Sequence, residues 1–150
     1  MSIDRQVQAA RAGTEPALIC QVPSGWVVLC ALQFLRGYSI LMPDPVVPSL
    51  NDLSRSLRTQ YLCDMALIGD ALLEATGADR INYAILGNSD PVLHAHIVPR
   101  YRDEPDKLLN DPPWAYPSEI VDATKFEYQR DRELMQRIAV AIQARLRQSL

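Results

Sequence analysis

The longest helical pattern in the chain, residues 54–76, stands between two groups of short strand patterns, and that order restricts the architecture more than any other feature. Apolar Leu57, Tyr61, Met65, Ile68 and Leu72 recur at three- and four-residue intervals, the spacing that aligns side chains along one helix face. Long residues such as Leu, Met, Arg and Gln dominate the segment and β-branched ones are few, so local propensity agrees. Gly77 stands where a C-terminal cap is expected. The stripe, Met65 included, predicts a buried face. Upstream, "ALICQVPSGWVVLC" predicts two short strands around Pro23-Ser24-Gly25, a hairpin signal. Residues 37–42 predict a third strand, closed by "PDPVVP", whose prolines lack the N–H that a ladder needs. Downstream, residues 80–86 and 92–98 predict two more strands joined by the turn-forming loop "GNSDP". A short helix over residues 4–12 closes at Gly13. A final helix covers about residues 125–147, with Leu134, Ile138, Ala141 or Ile142, and Leu146 on its apolar face. Between them, "RYRDEPDKLLNDPPWAYP" is rich in proline and charge and is expected to run over the surface. Strands joined by short turns pair antiparallel. The expectation is an α+β fold: an antiparallel sheet with a long central helix and a C-terminal helix packed against it.

At 150 residues and 48% hydrophobic content, residues 1–150 form one domain, long enough to bury roughly 68–70% of the unfolded surface. A net charge of -3 offers no electrostatic footprint for nucleic acid. Cys20, Cys30 and Cys63 are odd in number, lack CxxC spacing and lie in apolar runs. They read as small hydrophobes rather than ligands or disulfides, which favours a reducing compartment. The opening "MSIDRQVQAARAGTEP" has no signal-type apolar core, and no run approaches the ~18 apolar residues of a membrane span. A cytoplasmic protein with no membrane partner is expected.

Both histidines of the chain, His94 and His96, lie two apart in "LGNSDPVLHAHIVPRY". In a strand, alternate side chains share a face. Val92, His94 and His96 then point one way, and apolar Leu93, Ala95 and Ile97 the other. Three readings are open. Both rings can be satisfied structural histidines. They can be two zinc ligands, which needs a third donor from cysteine or carboxylate, since no further histidine exists. Or one is a nucleophile toward phosphorus: neutral imidazole is abundant near neutral pH and can form a transient phosphorus–nitrogen bond. Asn88 and Ser89 in the preceding turn could offer donors to the negative oxygens of a phosphate.

These residues resemble a known family. "VLHAHIVPR" is similar to the histidine-triad signature His-φ-His-φ-His-φ-φ, followed by Pro-Arg as in many bacterial members, and "GYSILMPDPVV" resembles the family's Pro-Gly-His strand. The resemblance runs from about Trp26 to Tyr101, and its bacterial diadenosine polyphosphate hydrolase-like branch is the nearest in pattern. It implies a small-molecule nucleotide partner (a dinucleoside polyphosphate, a nucleoside phosphoramidate or a nucleotide sugar) and usually a homodimer. It implies that His94 attacks the α-phosphorus, that His96 assists, and that Asn88 and Ser89 contact phosphate. The short "GNSDP" turn is more similar to the nucleotidyltransferase and phosphorylase branches than to the Gly-rich loop of typical hydrolases. No cofactor and no tightly bound metal is implied, though Mg²⁺ can accompany a phosphate substrate.

Three positions depart from the pattern. Val92 stands at the first triad histidine, Arg36-Gly37-Tyr38 replaces Pro-Gly-His, and no Asp or Asn near Cys30-Ala31 is available for ribose hydroxyls. The departures motivate a competing reading, a non-catalytic nucleotide-binding protein of the same fold. Beyond the histidines, Arg100 and Arg102 are read as solvated side chains or as partners of distal phosphates. Trp114 is read as covering a core edge or closing one end of the cleft, and Trp26 as hairpin packing.

Overall fold

The computed structural model describes residues 2–148. Five strands form one sheet in the order β1-β2-β3-β5-β4, with every neighbouring pair antiparallel. Strands β1 (Leu18–Val22) and β2 (Gly25–Leu29) are the expected hairpin, and β3 (Ser39–Pro43) follows. Gly25 is required at the hairpin. Lying opposite Pro43, it would place an added Cβ 1.9 Å from the Met42 carbonyl oxygen, so only a residue without a side chain lets the two backbones approach. Helix α1 (Ile3–Ala12) ends at Gly13 in the left-handed region, as expected.

Helix α2 (Arg55–Thr76) begins where Ser54 caps the Leu57 N–H and ends at left-handed Gly77. Tyr61, Ile68 and Leu72 are buried against the sheet, and the Tyr61 hydroxyl donates to the Leu41 carbonyl at 2.8 Å. The stripe needs one correction. Leu57 is exposed, because the first helical turn carries it away from the core. Helix α5 (Tyr128–Gln148) starts three residues later than expected and packs on α2 and β1 through Leu134, Ile138, Ala141 and Ile142. Of the cysteines, Cys20 and Cys30 are buried, whereas Cys63 is exposed on α2 and is not part of the core. Among the described residues no helix is long and apolar enough to cross a membrane.

Strand β4 (Arg80–Ala84) ends two residues early, and β5 (Ala95–Arg100) starts three residues late. The reason for the late start is local. Leu93 N–H donates to the Val47 carbonyl at 2.8 Å and the Val92 carbonyl accepts from the His94 ring, so residues 92–94 use their hydrogen bonds outside the ladder. Pro99, expected to end the strand, lies within it. Arg100 turns its carbonyl to β4, accepting from Asp79 N–H. Pro99 therefore faces the β3 side, past the last β3–β5 pair, Ser39↔Ile97, where no donor is needed.

Arg100 overturns its own expectation. It is neither solvated nor free for phosphate: its guanidinium is buried and paired with Glu104. Nε lies 3.1 Å from both Glu104 oxygens, Nη1 donates to Asn82 Oδ1 and the Asp111 carbonyl at 2.7 Å each, and Nη2 donates to the Leu108 carbonyl at 2.9 Å. Glu104 also accepts from Tyr101 N–H and the Tyr116 hydroxyl. Burial alone would raise the Glu104 carboxyl, but Arg100 and these donors hold it below its ordinary value. The network ties down the segment expected to run over the surface. Most of its residues are exposed, as expected, and it contains α3 (Asp106–Leu109), a 3₁₀ turn (Pro113–Ala115) and α4 (Ser118–Val121). Arg102 is exposed and pairs with Asp79.

Candidate active site

Sheet register sorts the side chains. His96 lies opposite Ile40 on one side and Ala84 on the other, and Ile40 lies opposite Val28. By alternation, Cys30, Tyr38, Val98 and Arg100 share the histidine face. Helix α2 covers the opposite face, where Leu41, Ala95 and Ile97 are buried. On the histidine face, the segment anchored by Arg100 packs over Val98 through Tyr116. At the other end lies α1, whose Arg11 pairs with Asp44, itself the acceptor of the Trp26 indole N–H at 2.8 Å. The Asp90 carboxylate accepts the Ile3 N–H at 2.9 Å and ties the preceding loop to the start of α1. The two histidines stand between these structures.

The structure brings His94 and His96 together, their ring centroids 4.9 Å apart and their planes at 68°. They share a face as expected, although His94 sits just ahead of the strand. His94 is buried, with 9% of its surface exposed. Its Nδ1 lies 2.7 Å from the Val92 carbonyl oxygen. A carbonyl can only accept, so Nδ1 carries a proton, and in the neutral ring the lone pair is on Nε2. A main-chain carbonyl thus orients the ring, with no side-chain donor or acceptor at Val92.

His96 is half-buried and its Nδ1 lies 2.6 Å from the Tyr38 hydroxyl. Burial, helped by the charge His94 can carry, lowers its pKa to about 4, so the ring is neutral at physiological pH. Burial, with Cys30 beside it, raises the Tyr38 phenol; burial also raises the Cys30 thiol. Neither ionises near neutrality.

The loop carrying Tyr38 is built by Gln33. Its amide donates to the Cys30 and Tyr38 carbonyls at 2.9 and 2.8 Å and accepts from Gly37 N–H at 3.0 Å. Beyond Tyr38 opens a cleft of about 290 Å³ walled by Phe34, Trp114 and Tyr116. Trp114 is 58% exposed, so it lines this cleft and covers no core. Asn88 and Ser89 are exposed on the loop ahead of His94. Among the described residues, no group of three or more His, Cys, Asp or Glu is placed to hold a metal ion.

The arrangement in hand is a main-chain-oriented imidazole just ahead of β5, beside a second, neutral imidazole on the strand, both preceded by a short polar loop. Solved structures share the fold. The fold is that of histidine triad proteins. A histidine triad protein of Sinorhizobium meliloti 1021 aligns with 22% identity over 89% of this chain and 93% of its own, with TM-score 0.70. One from Marinobacter aquaeolei VT8 aligns with 19% identity over 85% and 88%, with TM-score 0.71. A hypothetical histidine triad nucleotide-binding protein of Sulfolobus tokodaii strain7 aligns with 15% identity over 93% and 92%, with TM-score 0.71. No protein-family model matches the sequence, and neither does any curated protein.

Sequence reasoning missed the structural contributions of Gln33, Glu104 and the Val92 carbonyl. Only Glu104 left a trace, as a carboxylate four residues after Arg100. A carbonyl leaves none, since every residue has one.

Proposed function

We propose that the protein is a nucleotide hydrolase or nucleotidyltransferase, acting on a nucleoside polyphosphate or phosphoramidate through a covalent His94–nucleotidyl intermediate. The observation that carries this reading is the Val92 carbonyl holding His94 Nδ1–H at 2.7 Å, which puts the lone pair of the neutral ring on Nε2. In the first step Nε2 forms a bond to the α-phosphorus as the bond from phosphorus to the leaving oxygen or nitrogen breaks. The leaving group departs with the bonding electrons and takes up a proton. In the second step water, or another acceptor, attacks phosphorus, the phosphorus–nitrogen bond returns its electrons to Nε2, and the acceptor's proton is released. His96 is assigned to assistance at the phosphoryl oxygens or leaving group, and Asn88 and Ser89 to phosphate contact from their exposed loop. Mg²⁺, where used, would enter with the polyphosphate. The aromatic cleft beyond Tyr38 would accept the base.

Val92 and Tyr38 favour the second reading, a nucleotide-binding protein without turnover. The two separate on incubating the pure protein with diadenosine polyphosphates and with adenosine phosphoramidate. Mononucleotide release that disappears in His94→Asn supports catalysis. Binding without release across the panel, or release unchanged in His94→Asn, rejects it. A homodimer is proposed with the same reading; exposed Tyr83 on β4, a terminal strand of the sheet, provides the surface.

A further inference from the structure

An imidazole serves chemistry only in the tautomer its task requires, and the two rings are held by different kinds of partner. The Val92 carbonyl forces one tautomer on His94. The partner of His96 is a hydroxyl, able to donate or accept, and two observations decide between these. First, the 2.6 Å separation lies below the ~2.7–3.2 Å range of N–H donors to oxygen and within that of hydroxyl donors. Second, burial raises the Tyr38 phenol, so Oη keeps its proton and can give it to Nδ1.

We infer that Tyr38 is a positioning residue which locks His96 as the Nε2–H tautomer, opposite to that of His94. The valley then offers one lone pair and one N–H donor on adjacent rings. Its consequence for turnover rests on the nucleotidyl-transfer reading: the lone pair attacks phosphorus while the N–H meets the charge developing on a phosphoryl oxygen. In the other tautomer His96 would turn a second lone pair toward an anion.

Long-range proton–nitrogen spectra of the ¹⁵N-labelled protein at pH 7 test the lock. The chain has 2 histidines, so only two imidazoles appear, and His94→Gln assigns them. The wild type is expected to show His96 protonated at Nε2 alone, and Tyr38→Phe a mixture of tautomers with the His94 signals unchanged. A His96 protonated at Nδ1 in the wild type, or an unaltered tautomer in Tyr38→Phe, overturns the inference. With an active substrate, Tyr38→Phe should lower kcat by about 10–100-fold at unchanged KM, and Tyr38→His, which restores a donor, should recover part of it; an unchanged kcat in Tyr38→Phe also overturns the inference. The spectra are read whether or not any substrate turns over. A lock found in a protein without turnover would therefore count against the nucleotidyl reading alone.

Discussion

Replacing Arg100 with methionine removes a guanidinium whose side chain is 7% exposed from a carboxylate that is 4% exposed. The Glu104 charge is left with Tyr101 N–H and the Tyr116 hydroxyl as its donors. The Asp111 and Leu108 carbonyls and Asn82 Oδ1 each lose one. Breaking a buried ion pair from one side costs about 3–5 kcal/mol, and each buried acceptor left unpaired about 1–3 kcal/mol. These do not add, because the segment over residues 101–121 can lift and rehydrate its carbonyls. The expected loss is therefore about 3–5 kcal/mol, with a lower urea midpoint and faster hydrogen exchange concentrated in that segment. Glu104→Leu alone strands the guanidinium and should cost a similar amount. The double variant Arg100→Met with Glu104→Leu has no stranded charge and should recover at least about 2 kcal/mol of the summed loss. Urea unfolding of the four proteins closes the cycle. A loss under about 1 kcal/mol in Arg100→Met, the scale of an exposed pair, would refute the reasoning, as would two single losses that simply add.

Gly25→Ala should destabilise the sheet by more than about 2 kcal/mol, since its Cβ would meet the Met42 carbonyl at 1.9 Å; thermal unfolding checks it, and a loss within about 0.5 kcal/mol would show that the strands can separate cheaply. His96 predicts a pH dependence. Its folded pKa of about 4 lies below the ordinary 6.5, so the unfolded chain binds the proton first. The ring's contribution is complete above pH 6.5 and is lost as pH falls toward 4. At about 1.36 kcal/mol per unit the ceiling is about 3 kcal/mol, and solvent screening of a half-buried ring brings it to about 1–2 kcal/mol. Wild type should therefore lose more stability than His96→Gln between pH 7 and 4.5; parallel curves would exclude the effect.

Local pattern carried most of the architecture. The apolar period of α2, its Ser54 and Gly77 boundaries, the hairpin at Pro23-Ser24-Gly25 and the period-two placement of His94 and His96 are all set by backbone preferences and side-chain alternation within a few residues. Those interactions depend little on the rest of the chain, so they can be read from neighbours in sequence. The departures at Val92 and Tyr38 were visible too, but only as losses. Tertiary structure decided the partner of His96, a phenol brought across 58 residues. It also turned Arg100 from the surface into an ion pair, because the strand runs on through Pro99 and Glu104 folds back beneath it. Hydrogen bonds to carbonyls and buried charge pairs depend on which segments meet in space, and no periodicity in the sequence records that meeting.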